Sequence, residues 1–192
     1  HLGRLDGTEE PALDTLETIL KTVGPVRQTT NLLGARFSKL ALNCAVSGLG
    51  TVAGVSLGTL LRDAGARNLA LRVMREAVAV SRAENIALER VGGTFDLNWL
   101  ANPEAPLHGP AHWARHAMLL AVGFKYRRLR SSMLRAIEAG REPAVEFLNG
   151  EIAQRGETLN VSTPINSGVA ELVHQIARGE LVPSRDNLRT LQ

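Results

Sequence analysis

Apolar residues recur along this chain at spacings of three and four, the repeat that gathers them on one face of a helix. After the turn signal Asp6-Gly7, Pro11 opens such a segment, with Leu13, Leu16, Ile19 and Leu20 as its stripe and Gly24-Pro25 as its stop. Residues 26–30 are β-prone and read as an extended connector. From Asn31 a long helix is expected through Leu33, Phe37, Leu40, Ala41 and Cys44, weakening at Ser47-Gly48. Residues 57–63 predict a short helix ended by Gly65, and residues 66–84 a second long one carrying Leu69, Val73, Met74, Ala77 and Val80 on one side. Residues 91–109, punctuated by Gly92-Gly93, Asn102-Pro103 and Gly109-Pro110, read as a loop-rich rim or flap. A third long helix is expected from Ala111 to Glu138, with Gly140 behind it. Pro143 opens another (Val145, Leu148, Ile152), and Pro164 the last (Val169, Leu172, Val173, Ile176), which ends at Gly179. The tail beyond Pro183 reads as frayed. Five or more helices with almost no strand predict an all-α fold.

The length, 192 residues, suits one domain. With 44% hydrophobic but only 4% aromatic residues, the core must be built from Leu, Val, Ile and Ala, which favours packed helices over a β-sandwich. The net charge of +3 does not point to nucleic acid. Its one dense run, Lys125-Tyr126-Arg127-Arg128-Leu129-Arg130, has a single aromatic rather than an aromatic interleaving and reads as a solvated helix face, with a small-anion site as the alternative. Cys44 is the single cysteine, so no internal disulfide forms; in an apolar helix it is a small buried hydrophobe, which fits a reducing cytoplasm. No apolar run is long enough for a bilayer, so no membrane partner is expected, and no signal peptide either. The chain opens at His1, and residues 1–7 read like the tail of a strand running into a turn, as in a piece of something longer.

The candidate chemistry starts at Lys39. It lies in the apolar run Lys39-Leu40-Ala41-Leu42-Asn43-Cys44-Ala45-Val46-Ser47, and helical spacing puts Asn43 on its face one turn on. A lysine there either snorkels to the surface or aims at a polarised carbonyl, where it would stabilise an alkoxide and supply a proton. Asn43 would orient a substrate oxygen, or else bond a neighbouring helix. Ser131 and Ser132 either back-bond to a carbonyl one turn earlier or, beside the arginines, suit a carboxylate. Asn149-Gly150 reads as a close helix crossing. Gly48, Gly50 and Gly54 do not make a dinucleotide loop: the segment before them is helical, and the third glycine comes one place late. His108, His112 and His116 fall four apart, yet no further ligand is evident, so no metal is expected.

Lys39-Leu40-Ala41-Leu42-Asn43-Cys44, then Ser131-Ser132-Met133-Leu134, Gly140-Arg141, Asn149-Gly150 and Thr163-Pro164-Ile165-Asn166, in this order and spacing, resemble the C-terminal domain of ketopantoate reductases (2-dehydropantoate 2-reductases). The resemblance covers nearly the whole chain. It implies a multi-helix C-terminal domain like that of 6-phosphogluconate dehydrogenase-type reductases, behind a short extended N-terminal segment. Residues 1–7 would end a dinucleotide-binding Rossmann domain that holds NADPH, residues 8–182 would form the substrate-binding helical domain, and residues 183–192 a tail. It implies a 2-keto acid substrate, a homodimer, Lys39 as the catalytic acid, and Asn43 and Ser132 as substrate contacts, with Ser131 and Ser47 beside them. Three positions depart from the family pattern. Ser47 stands where a second asparagine is usual, Leu57 where an asparagine precedes glycine, and Ala144 where the catalytic-site glutamate belongs. Glu146 is two residues on, about 200° round a helix, and should point elsewhere. The lysine is kept while polar contacts are lost, which suggests a different or less polar 2-oxo compound. The rival reading is a non-catalytic helical module for dimerisation or ligand sensing, with a degenerate site. A second rival is a related dehydrogenase for another hydroxy acid or alcohol.

Overall fold

A computed structural model describes residues 1–92 and 95–191. Its described residues form ten α-helices, two π-helical turns and a terminal 3-10 helix. Their only β-contacts are the isolated bridges between Leu2 and Gln28 and between Val91 and Phe95. The fold is all-α, as expected.

The first helix, α1 (Ala12–Lys21), buries none of its residues. Its apolar stripe forms, but it faces away from the body, leaving Ile19 58% exposed. The segment before it pairs with the extended connector: the Leu2 N–H donates to the Arg27 carbonyl, and the Thr29 N–H to that of Leu2.

The next helix, α2 (Leu32–Asn43), is capped by Asn31, whose side chain accepts from the Gly34 N–H. The expected break at Ser47-Gly48 is absent. The helix widens into a π turn, Cys44–Gly48, and continues as α3 (Leu49–Ala53). It stops at Gly54, whose φ of +67° is easy for glycine alone. Gly48 serves a close approach instead: a Cβ there would lie 2.5 Å from Asn149 Oδ1 and 2.8 Å from Val169 Cγ1.

Two capped helices follow, α4 (Leu57–Arg62) behind Ser56 and α5 (Ala64–Ala83) behind Asp63. Gly65 lies inside α5 rather than ending α4. With Leu69, Leu71, Val73, Met74, Ala77, Val78 and Val80 buried, α5 is the central rod. The stretch read as a flap holds a short helix, α6 (Leu97–Leu100), with both leucines in the core. Two arginines strap it down. Arg115, itself buried, donates to the Trp99 carbonyl at 3.0 Å, and Arg75 to that of Ala105 at 2.8 Å. Gly93 and Thr94 lie outside the described residues, so the expected Gly92-Gly93 turn is seen only to Gly92.

The single helix expected from Ala111 to Glu138 is two, α7 (Pro110–Lys125) and α8 (Ser132–Glu138). Contact with α4 explains the break. Gly58 packs against the Arg127 backbone so closely that a Cβ would lie 2.6 Å from its Cα. The Leu57 N–H donates to the Leu129 carbonyl at 2.8 Å, and Ser131 then caps α8 by accepting from the Leu134 N–H. The basic run is thus an exposed turn, not a helix face. A second π turn, Glu146–Gly150, leads into α9 (Glu151–Leu159), so this helix starts after Pro143. The last α-helix, α10 (Pro164–Ala177), opens on proline as expected. The tail is not frayed. Residues Arg185–Leu191 form the 3-10 helix, which buries Leu188 and Leu191, and the Ser184 N–H donates to the Val52 carbonyl.

The two π turns meet in the core through a polar chain. Asn149 Nδ2 donates to the Cys44 carbonyl at 3.3 Å and to Asn166 Oδ1 at 2.9 Å. Asn166 Nδ2 in turn donates to Glu76 Oε2 at 2.7 Å and to the Val73 carbonyl at 3.1 Å. Glu76 also accepts from the backbone N–H groups of Ile165 and Asn166. Burial holds its carboxyl above the ordinary range even though these bonds favour the anion. Both asparagines have no exposed surface. Replacing Asn166 with alanine takes one hydrogen bond each from the Glu76 carboxylate, the Val73 carbonyl and the Asn149 amide and leaves a void among them. Urea unfolding of Asn166→Ala is expected to show a loss of about 3 kcal/mol, against under about 0.5 kcal/mol for the exposed Glu104→Ala.

Candidate functional site

Lys39 sits on α2 with its side chain exposed, so no buried ammonium needs a partner. Asn43, half-buried, ends the helix one turn on, about 6 Å along the axis. The π turn begins at the next residue, and Ser47 lies within it. Such one-residue insertions recur at functional sites because they re-aim side chains without ending the helix. Lys39, Leu42, Asn43 and Val46 share the face that enters the turn.

Ser131 and Ser132 have different fates. Ser131 is buried, and its hydroxyl donates to the Ser47 carbonyl at 3.1 Å and meets the Thr51 hydroxyl at 2.8 Å. The same oxygen caps α8. Ser131 therefore pins the start of α8 to the π turn. Ser132, the first residue of that helix, is left exposed beside it. The wide turn thus brings Ser47, Ser131 and Ser132 together.

Next to Asn43 lies a cavity of about 490 Å³. Leu42, Val46, Leu57, Phe95, Met118, Val122 and Leu129 give it apolar walls. Its polar groups are Asn43, Lys125 and Tyr126, with the Lys125 ammonium 5.4 Å from the centre of the Tyr126 ring. Of the five residues expected at the site, Asn43 alone lines this cavity.

Other candidates lie elsewhere. Glu146 points away, as expected, and pairs with His174. Ala144 is exposed. Arg130 pairs with Glu138 at 2.9 Å, and Arg127 lies over the Phe124 ring, so neither faces the cavity. Gly48 and Gly50 are buried inside the helix and present no backbone to a phosphate, so this chain has no dinucleotide cradle there. The His112 and His116 rings meet at a tilt of 57° with centres 4.4 Å apart, and burial together with neighbouring cations holds both below the ordinary histidine range. No metal-holding cluster occurs among the described residues. Sequence reasoning missed Lys125 and Met118 as wall residues, since only the contact with α4 brings α7 here. Leu42 and Val46 carried a signal: they stand three and seven residues after Lys39.

Residues 31–177 match the family described as the ketopantoate reductase PanE/ApbA C-terminal domain. The chain is 25% identical over 163 residues to a 2-dehydropantoate 2-reductase of Pyrobaculum aerophilum, covering 84% of this chain and 50% of that protein. It is 23% identical over 180 residues to one of Archaeoglobus fulgidus, covering 93% and 53%. Among solved structures, a PanE/ApbA family ketopantoate reductase from Ralstonia eutropha superposes with a TM-score of 0.68 at 26% identity, over 89% of this chain and 50% of that one. A D-mandelate dehydrogenase with NADH and anilino(oxo)acetate shares the fold at a TM-score of 0.66 and 17% identity, over 89% and 50%. The chain spans about half the length of the curated relatives it matches.

The two serines make a direct comparison. Ser131→Ala removes a cap and a buried hydroxyl bond, and is expected to cost about 2 kcal/mol in urea unfolding. Ser132→Ala, at an exposed position, is expected to change stability by under about 0.5 kcal/mol.

Proposed function

The chain belongs to the ketopantoate reductase C-terminal family, and from that premise we propose that it is the substrate-binding and catalytic half of an NADPH-dependent reductase of 2-keto acids. The half of its relatives that it does not span is where we place the Rossmann domain. Two observations support that division. The glycine-rich segment is buried helix, and residues 1–30 lie outside the family match with the stripe of α1 exposed. On this reading the boundary falls near residue 30 rather than 7.

NADPH supplies the hydride when bound. Lys39 faces the substrate oxygen, stabilises its developing negative charge and gives it a proton. The Asn43 amide donates to the same carbonyl, and the Ser132 hydroxyl donates to the carboxylate. Hydride and proton together convert the 2-keto acid to a 2-hydroxy acid, leaving NADP. The observation that carries this reading is the face that Lys39 shares with Asn43, the second of which lines the cavity.

The second reading is a non-catalytic module for dimerisation or ligand sensing. It draws on Ala144, which is exposed and non-titratable where the family pattern has glutamate. The test is NADPH oxidation by the full-length protein across a panel of 2-keto acids. Lys39→Ala is expected to lower kcat/KM by about a hundredfold to ten-thousandfold without unfolding the chain, since Lys39 is exposed. Unchanged turnover in that variant removes the acid role, and a silent wild type moves the assignment to the module. The 192-residue chain alone is expected to show no turnover.

A further inference from the structure

The cavity beside Asn43 has a chemistry of its own. Its walls are aliphatic or aromatic along α2, the first turn of α4 and the inner side of α7. Leu57 stands at the start of α4 and is 5% exposed. Its backbone is fixed by the bond to the Leu129 carbonyl, so the side chain is held on the cavity wall. Phe95, also on the wall, is held by a bridge to Val91, with reciprocal backbone bonds of 2.9 and 3.0 Å. Met118 adds a polarisable thioether, which suits an aromatic ring. Among the described residues the polar side chains on its wall are Asn43 on α2 and Lys125 and Tyr126 at the end of α7. A ligand with one polar head and an apolar body matches that division. A hydroxyl on the body would be buried against Leu57 with no polar side chain beside it among the described residues, an arrangement that disfavours binding strongly. A volume of about 490 Å³ lies in the range of small-molecule sites.

We propose that this cavity selects 2-oxo acids carrying a large apolar substituent at C3, aromatic ones above all, over hydroxylated ones such as ketopantoate. The proposal rests on the reductase reading for its chemistry, with the C2 carbonyl at Asn43 and the substituent between Leu57, Phe95 and Met118. Lys125 at the rim gives the carboxylate a cation. The reaction adds a hydride to C2 and a proton to the oxygen, leaving the aromatic 2-hydroxy acid and NADP.

The test uses the full-length protein with phenylpyruvate, ketopantoate and pyruvate. Steady-state reduction is measured alongside calorimetric binding without the reductant. Phenylpyruvate is expected to exceed ketopantoate in kcat/KM by about tenfold or more. Ala121→Trp fills the cavity from an exposed position on α7, so it leaves the core intact. It is expected to lower kcat/KM for phenylpyruvate about tenfold or more while pyruvate changes by less than about threefold. Leu57→Asn is expected to move the ratio toward ketopantoate by about tenfold. Ketopantoate reduced as well as phenylpyruvate, or pyruvate losing as much as phenylpyruvate in Ala121→Trp, overturns the proposal and leaves the reductase reading standing. If no 2-oxo acid is reduced, yet phenylpyruvate binds and Ala121→Trp abolishes that binding, the cavity's selectivity stands and the reductase reading falls. Binding of none of the three overturns the proposal.

Discussion

Glu76 lies in the middle of α5 with its carboxylate turned toward the first turn of α10, and three N–H groups there donate to it. Through Asn166 and Asn149 that anchor reaches the Cys44 carbonyl, at the point where α2 widens. Each buried polar group in the chain is useful only while the next one is in place, since a stranded amide or carboxylate in an apolar core is costly. α2, α5, α9 and α10 therefore settle into one register together. The π turn is part of that register. Gly48 leaves room for Asn149, and Asn149 holds the carbonyl that the wider turn presents.

The site inherits its geometry from this core. The turn is held from inside by Asn149 and from outside by Ser131, whose hydroxyl grips the Ser47 carbonyl. Between these two fixings the face with Lys39, Asn43 and Val46 has little freedom to rotate. Gly58 against Arg127 sets how near α7 comes to α4, and so how wide the cavity beside Asn43 is. A flexible lysine one turn from Asn43 gains from such fixed surroundings, because orientation is supplied before the substrate arrives.

Much of the helical plan was legible because apolar spacing reports a buried face directly. Leu69, Val73, Met74, Ala77 and Val80 marked α5, and Pro164 marked the start of α10. The failures share a cause: each depended on a contact distant in sequence. The break after Lys125 comes from α4, and Leu188 and Leu191 are too few to show a period of their own. The continuation through Gly48 was hidden because glycine signals both a break and a close approach. At the site, Lys39 and Asn43 could be paired by spacing alone. The split between a structural Ser131 and an exposed Ser132 could not, because adjacent hydroxyls look alike until a cap assigns one of them. Asn149 and Asn166 were visible as motifs, but their work is in the core rather than at the cavity.

None of the three polar anchors, Glu76, Asn149 and Asn166, lies on the cavity wall. The wall is made of side chains such as Val46, Leu57, Met118 and Val122, which point into the cavity from helices fixed by other contacts. Inheritance can therefore treat the two sets separately. A single substitution at a half-buried wall position such as Val46, Met118 or Val122 leaves the anchors in place. A domain arranged in this way can change what its cavity accepts without rebuilding the core that holds it.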